Sequence, residues 1–183
     1  MSGAIKRKPE GIRLVTGAGR IAWPNIVDPQ ETPNGPRYNM TLLLPPTYDL
    51  APLKAALVDI CERTWGKNRR DWPAGARMPE DVIRDAGTKT YAGYEKGWHF
   101  FAAATAEKPG IVDATTQPVT DPKEIYAGRW ARISVRPYCY DNKNSGISFG
   151  LSNVQLLQHD TVFGRTSASQ DFDLVALDAG TDF

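Results

Sequence analysis

The sequence has few of the residues on which metal sites and covalent cross-links depend. Its 183 residues include two cysteines and two histidines, too few for a disulfide scaffold. The cysteines, Cys61 and Cys139, are also spaced too widely for a zinc knuckle. We therefore expect no metal and no cofactor, and many classes of enzyme are disfavoured from the start.

Long apolar runs and a secretory signal are absent as well. Apolar residues make up 41% of the chain, and no run approaches the length of a membrane-spanning helix. The N-terminus is basic, but no apolar h-region follows it, which predicts no secretory signal and a cytoplasmic location. The length favours one domain with a core of its own.

Charge is unevenly distributed along the chain. The net charge is +1, yet residues 171–183 hold four of the 21 acidic residues and none of the 22 basic ones. The remainder therefore carries +5. A basic body followed by an acidic segment suggests a polyanionic partner and a tail that competes with it, although an ordinary solvated terminus would look the same.

Short β-like segments dominate the pattern, and a single helix lies among them. Strands are expected at residues 11–23 (interrupted at 16–19 by a hairpin or a bulge), 37–44, 98–104, 110–114, 129–140 and 147–157. The helix is expected at residues 49–65, with Asp49 as N-cap and Leu53, Leu57, Ile60 and Cys61 on its buried face. This arrangement indicates a mainly β fold, either a small antiparallel barrel or a sandwich.

The segment 130–140 holds the clearest functional signal. Because alternate residues of a strand share a face, small and apolar side chains fall on one side of it. The other side carries cations and rings, namely Trp130, Arg132, Ser134, Arg136, Tyr138 and Tyr140. Arginines interleaved with aromatic rings suit single-stranded nucleic acid, whose phosphates need cations and whose unpaired bases need flat surfaces. The alternative is a strand whose aromatics only cover the barrel, and Trp130 in particular fits either role.

The segment 89–98 is a second candidate. It is rich in glycine and carries two lysines and two tyrosines, Lys89, Lys96, Tyr91 and Tyr94. Such a loop could fold over a nucleotide chain, or it could be a simple hairpin loop. We expect Trp98, at its end, to turn toward the core.

These features together resemble the single-stranded DNA-binding proteins of tailed bacteriophages. The resemblance rests on residues 38–45, 97–98, 108–109, 112–113, 124–135, 138, 146–148 and 151–155, with Tyr-Ala-Gly-Arg-Trp-Ala-Arg at 126–132 the most specific block. It implies an oligonucleotide-binding (OB) fold, that is, a five-stranded antiparallel barrel with one inserted helix. The domain would span residues 11–164, between a flexible basic N-terminus at 1–10 and a disordered acidic tail at 165–183.

The resemblance also implies a function. Members of such a family coat exposed single strands during DNA replication, recombination and repair in the infected cell, without catalysis. The tail would recruit replication proteins through its acidic residues and its terminal aromatic, here Asp171, Asp173, Asp178, Asp182 and Phe183. We further expect weak duplex binding and a monomer or weak homodimer.

Two alternatives from other classes stay open. Glu80, Asp81 and Asp85 could hold Mg²⁺ in a phage nuclease, although at this spacing they fit a short helix better. A virion structural β-protein that binds no nucleic acid is the other alternative.

Overall fold

The computed structural model describes residues 11–165 and, beyond them, residues 171, 172 and 174. The strands are β1 (Leu14–Val15), β2 (Gly19–Gln30), β3 (Arg37–Leu44), β4 (Arg84–Asp85), β5 (His99–Thr105), β6 (Gly110–Val112), β7 (Trp130–Asp141) and β8 (Ser145–Leu156). The helix α1 (Ala51–Trp65) lies between β3 and β4. Short 3₁₀ turns occupy Arg69–Asp71, Pro79–Asp81, Ala86–Thr88 and Pro122–Glu124. No helix in this part of the chain is long and apolar enough to cross a bilayer.

Five strands close into a barrel. β2 pairs with β3, β3 with β5, β5 with β8, β8 with β7, and β7 returns to β2. The predicted OB fold is confirmed, with one refinement: the β5–β8 pairing is parallel, whereas the other four are antiparallel. An odd ring cannot alternate strand direction all the way round, so at least one parallel pair is unavoidable. The shorter β1, β4 and β6 extend the edges of this ring.

The barrel interior is filled by alternate residues of its strands. Phe101 and Phe149 are fully buried and their ring centroids lie 4.8 Å apart. On β3 every residue from Met40 to Leu44 is buried, because both faces of this strand are covered. Met40, Leu42 and Leu44 belong to the interior core, while Leu43 belongs to a smaller cluster with Ala22, Ala86 and Phe100.

The helix packs its apolar face against the barrel and contacts β7 and β8. The predicted buried residues Leu53, Leu57, Ile60 and Cys61 are all buried. The helix begins two residues later than predicted, with Leu50 as N-cap, while the carboxylate of Asp49 accepts from the backbone N–H of Ala51 at 3.0 Å. Pro52 fits this first turn because the N–H it lacks would have no helical acceptor there. Both cysteines are free thiols, and their sulfurs are 3.8 Å apart.

Candidate nucleic-acid interface

The predicted two faces of β7 are present. Ala131, Ile133 and Val135 are buried in the barrel. Arg136 and Tyr138 lie on the outer face and are exposed, Tyr138 to 42%. The alternation continues past Pro137, since its neighbours keep their expected sides, and the proline does not exchange the two faces.

The other residues of this outer face differ in their surroundings. Tyr140 is half-buried, with its ring centroid 6.2 Å from that of Tyr138. Arg132 is exposed and donates from Nε to the side-chain oxygen of Gln155. Ser134, by contrast, is buried, and its hydroxyl accepts from the backbone N–H of Asn153 at 3.1 Å.

Trp130 is held within the protein. Its ring centroid lies 6.1 Å from that of Trp98, and its Nε1 donates to the carboxylate of Asp160 at 2.8 Å. This hydrogen bond is the main reason why the pKa of Asp160 is lowered. Trp98 turns toward the protein as expected, and packs on the small cluster around Phe100. The structure therefore gives Trp130 a packing role.

The two tyrosines of the 89–98 loop stand side by side. Tyr91 is 51% exposed, and its ring centroid lies 5.4 Å from that of Tyr94. Tyr94 is half-buried against Phe100, and its hydroxyl accepts from Nε1 of Trp23 at 3.1 Å. Burial raises the pKa of the Tyr94 hydroxyl, which keeps it protonated. Of the two loop lysines, Lys96 is exposed and Lys89 is partly buried.

Sequence reasoning missed the aromatic residue that completes this group. Trp23 is 54% exposed, and its ring centroid lies 5.5 Å from that of Tyr91. Its φ of +50° is rare for a bulky residue, and such strained residues cluster at functional sites. In the sequence Trp23 fitted the apolar pattern of a strand, and no local signal marks it as exposed.

Trp23 lines a cavity of about 220 Å³, which we call the aromatic pocket. The pocket is formed by four separate parts of the chain, residues 22–24, residues 91–94, residue 127 and residue 163. Its walls are Ala22, Trp23, Pro24, Tyr91, Ala92, Tyr94, Ala127 and Phe163.

Several cations near these rings are available to a ligand. Arg84, also missed by sequence reasoning, places its guanidinium 4.5 Å from the ring centroid of Phe100. Within the described residues no ion pair engages Arg84, Lys96 or Arg136. An exposed cation without a carboxylate partner can take a phosphate at little cost.

A strip of small side chains on the outer barrel wall joins the two aromatic regions. Ala22 pairs with Thr41, which pairs with Ala102 on β5. Ala22 and Thr41 are buried, whereas Ala102 is exposed. Beyond β8, the ring of Tyr138 lies over Gly150, where an added Cβ would be 3.6 Å from it. From β2 to β7 the strip crosses four strand spacings, or roughly 19 Å of curved wall. Its open part begins on β5, the third strand of the barrel, beside the covered outer side of β3, and OB folds use the face of the second and third strands for oligonucleotides.

The carboxylates of the nuclease alternative are each used locally. Glu80 accepts two hydrogen bonds from Arg69, at 2.8 and 3.0 Å, which hold the pKa of its carboxyl below the usual value. Asp81 accepts from the backbone of Met78, and Asp85 from that of Gly87. In the described part of the chain no group of three or more His, Cys, Asp or Glu side chains is arranged to hold a metal ion.

The predicted termini lie mostly outside the described residues. This applies to residues 1–10 and to the tail residues Asp173, Asp178, Asp182 and Phe183. Asp171 is described, and so are Phe172 and Leu174, which are 77% and 97% exposed.

The chain is similar to known phage proteins. It is 26% identical over 164 residues to "Putative protein p50" of Acyrthosiphon pisum secondary endosymbiont phage 1, covering 84% of this chain and 89% of that protein. The fold is similar to that of the single-stranded DNA-binding protein from bacteriophage Enc34 solved in complex with ssDNA, with a TM-score of 0.66, 23% identity and coverage of 88% and 97%. It is also similar to that of gp2.5, a single-stranded DNA-binding protein of bacteriophage T7, with a TM-score of 0.62, 14% identity and coverage of 95% and 100%.

A family comparison agrees with these similarities. Residues 12–183 match the family described as Enterobacter phage Enc34, ssDNA-binding protein. The match includes the strands that carry the outer-wall strip and the block at 126–132. The chain therefore belongs to this family of phage single-stranded DNA-binding proteins, as its sequence led us to expect.

Proposed function

We propose that this protein coats exposed single-stranded DNA during phage DNA replication, recombination and repair in the infected cell, without catalysis and without a cofactor. One observation carries the proposal: exposed rings, and cations that have no ion pair among the described residues, flank a strip of small residues on the outer wall of β5 and β8. Rings can stack on unpaired bases, cations can neutralise phosphates, and small residues leave room for the strand between them.

The proposed roles follow from the surroundings of each side chain. On β7, Arg136 binds phosphate while Tyr138 and Tyr140 stack on bases, with Arg132 as a second phosphate contact. In the loop, Tyr91 and Tyr94 stack. The cations beside them are Lys89, Lys96 and Arg84.

Stacking and phosphate contacts do not discriminate between bases, because every base has a π-face and every nucleotide a phosphate. The protein is accordingly sequence-tolerant, and its affinity for duplex DNA is weak because paired bases are not available to the rings. It acts as a monomer or weak homodimer. Its acidic tail both competes for the basic surface and recruits replication proteins through Phe183 and the neighbouring aspartates.

A retention assay tests this function against its alternatives. Labelled oligothymidine is incubated with the protein, with and without Mg²⁺. Retention of intact DNA supports the proposal, and cleavage that requires Mg²⁺ supports a nuclease. If the DNA is neither retained nor cleaved, the protein is a structural one.

Two arginine variants make the assay specific to the proposed surface. Arg136→Gln should weaken retention because it removes an unpaired cation from the strip. Arg63→Gln is the matched control, because Arg63 lies on α1 and is already paired with Asp59 at 2.8 Å. Equal weakening by both variants would contradict the proposed surface and indicate only a general effect of charge.

A further inference from the structure

Beyond the end of β8, residues 157–163 are held against the barrel by hydrogen bonds from side chains of other segments. Arg129, which is buried, donates to the carbonyl of Leu157 from Nε at 3.0 Å and from Nη2 at 2.7 Å. Arg20 donates from Nη2 to the carbonyl of Thr161 at 2.7 Å. Trp130 holds the carboxylate of Asp160, as described above. This segment is thus part of the folded domain.

The residues that hold it are largely those of the block at 126–132. Besides Arg129 and Trp130, Tyr126 donates its hydroxyl to the carbonyl of Asp160 at 3.2 Å. At Gly128, where φ is +106°, an added Cβ would lie 2.3 Å from the carbonyl oxygen of Thr161, so that only glycine fits. The most specific part of the sequence therefore serves the placement of this segment.

These contacts of residues 157–163 fix the position of Phe163. Its backbone N–H donates to the carbonyl of Ala127 at 2.9 Å, and the guanidinium of Arg20 lies 4.4 Å from its ring centroid. On the other side, an added Cβ at Gly93 would lie 2.4 Å from the ring. Phe163 is thereby fixed as a wall of the aromatic pocket, facing the group that contains Trp23.

The chemistry of the pocket selects its ligand. Its walls are aromatic rings, alanines and one proline, which suit a flat, neutral group. Arg20, the cation beside it, is already engaged with the carbonyls of Gly128 and Thr161 and with the carboxylate of Asp160. It is therefore not free to hold a phosphate.

We propose that the aromatic pocket takes one unpaired nucleobase, and that Phe163, positioned by the 126–130 block, is one of its walls. This inference rests on the proposed function, because it places a base of the bound strand at one end of the outer-wall strip. It also extends the DNA-binding surface to a segment whose sequence gave no indication of a binding role.

Two glycine variants of the same loop test this proposal. In Gly93→Ala the new methyl group must displace the ring of Phe163. Gly97→Ala is the matched control, because its φ of +86° is close to the +83° of Gly93, while its added Cβ would meet nothing nearer than Pro46 at 3.5 Å. Both changes strain the backbone in the same way, and only one disturbs the pocket.

The probes are an oligothymidine and an abasic oligonucleotide of the same length, with Kd measured by fluorescence anisotropy. Gly93→Ala and Phe163→Ala should each weaken oligothymidine binding by about 5- to 150-fold, the loss expected for one stacked base. Binding of the abasic strand should be unchanged in both, and Gly97→Ala should bind both strands as the wild type does. Melting temperatures identify any variant that has lost its fold.

A spectroscopic readout covers the case in which a variant fails to fold. Oligothymidine should change the tryptophan fluorescence of the wild type, and Trp23→Phe should lose most of this change while keeping most of the affinity, since an aromatic ring remains. An unchanged signal in Trp23→Phe would overturn the pocket assignment.

The failures of the two proposals are distinguishable. If Gly93→Ala and Phe163→Ala bind oligothymidine normally while Tyr138→Ala does not, the pocket takes no base, and the proposed function stands. If the wild type fails to retain oligothymidine at all, both proposals fall.

Discussion

The β7 face and the aromatic pocket both offer rings to unpaired bases but are assembled differently. Arg136, Tyr138 and Tyr140 are spaced at intervals of two on one strand, so a single local rule places them together. Trp23, Tyr91 and Phe163 come from three parts of the chain that lie up to 140 residues apart. A binding surface built on one strand can be recognised in a sequence, whereas one built by tertiary contacts cannot.

The two regions are also far apart on the barrel. Trp130 pairs with Arg20, and from that point β2 and β7 run in opposite directions. Tyr138 lies eight residues beyond Trp130, or about 26 Å of extended strand. Each region should therefore contribute to binding independently of the other.

Removing one ring from each region gives the largest expected effect. Trp23→Ala and Tyr138→Ala should each weaken oligothymidine binding by about 1–3 kcal/mol, because each ring stacks on a different base. The double variant should lose the sum, about 2–6 kcal/mol, since sites this far apart are usually additive. Anisotropy titrations at one fixed salt concentration measure all three. A double variant no weaker than either single variant would mean that the two regions never hold the same strand.

Tyr140→Ala extends this comparison within the β7 face. We expect a loss in the range of about 1–3 kcal/mol if the ring stacks on a base. A variant that binds normally but melts at a much lower temperature would show that Tyr140 is part of the packing instead.

Salt dependence should separate the cations from the rings. For the wild type we expect a slope of log affinity against log salt of roughly −2 to −4, because each phosphate of a single strand that the protein neutralises contributes about −0.7 to this slope. Arg136→Gln should make the slope shallower by about 0.7, whereas Trp23→Ala should lower affinity and leave the slope unchanged. Identical slopes in both variants would contradict the division of roles between phosphate contacts and stacking.

The acidic tail should affect both regions together. Deleting residues 171–183 removes four aspartates and no cation, so affinity at low salt should increase several-fold, and weak duplex binding should become measurable. The gain should shrink as salt is added, because exposed charges are screened over about 10 Å at 0.1 M. Titrations of the full-length and deleted chains at low and moderate salt test this, and equal affinities at low salt would show that the tail does not compete for the site.

The same deletion should abolish any pull-down of replication proteins if Phe183 and its acidic neighbours form the docking peptide. Replacing only Phe183 with Ala should preserve the competition between the acidic tail and DNA, and it should abolish the binding of replication proteins. This variant separates the two roles proposed for the tail.

The smallest expected effect concerns acid. The pKa of Asp160 is lowered in the folded protein, mainly by the hydrogen bond from Trp130. Its stabilising contribution is therefore fully present above the ordinary aspartate pKa of about 3.9 and is lost as the pH falls through the lower folded value. Because Asp160 is partly exposed, this contribution should not exceed about 1 kcal/mol.

Asp160→Asn tests that sign. The difference in unfolding free energy between the wild type and the variant, from denaturant titrations, should be nearly constant from pH 7 to 5 and should decrease as the pH falls below the ordinary aspartate pKa of about 3.9. A difference that grows as the pH falls would contradict the assigned direction. The aromatic pocket depends on the segment 157–163, whereas the β7 face does not. Any loss of oligothymidine affinity in Asp160→Asn near neutral pH should therefore come from the pocket and not from the β7 face.

The sequence by itself indicated most of the strands, the helix face and the outward side of β7. It did not predict β4, and β2 continues to Gln30, beyond the expected end at Trp23. Alternation along residues 130–140 and the spacing of Leu53, Leu57 and Ile60 are local, because each follows from the geometry of one element. The family could also be recognised from the sequence, because short blocks such as residues 126–132 are specific to it. The parallel β5–β8 pairing was not, because it is a property of the closed ring and no single strand shows it.

Only the tertiary structure decided the role of residues whose partners lie far away in the chain. Trp130 satisfied the pattern of an exposed ring, yet long-range contacts with Asp160 and Trp98 engage it within the protein. Trp23 satisfied the pattern of a buried one, yet it lines an open pocket with Tyr91. Side-chain periodicity tells which face of a strand a residue occupies, but whether that face is covered depends on which distant segment folds over it.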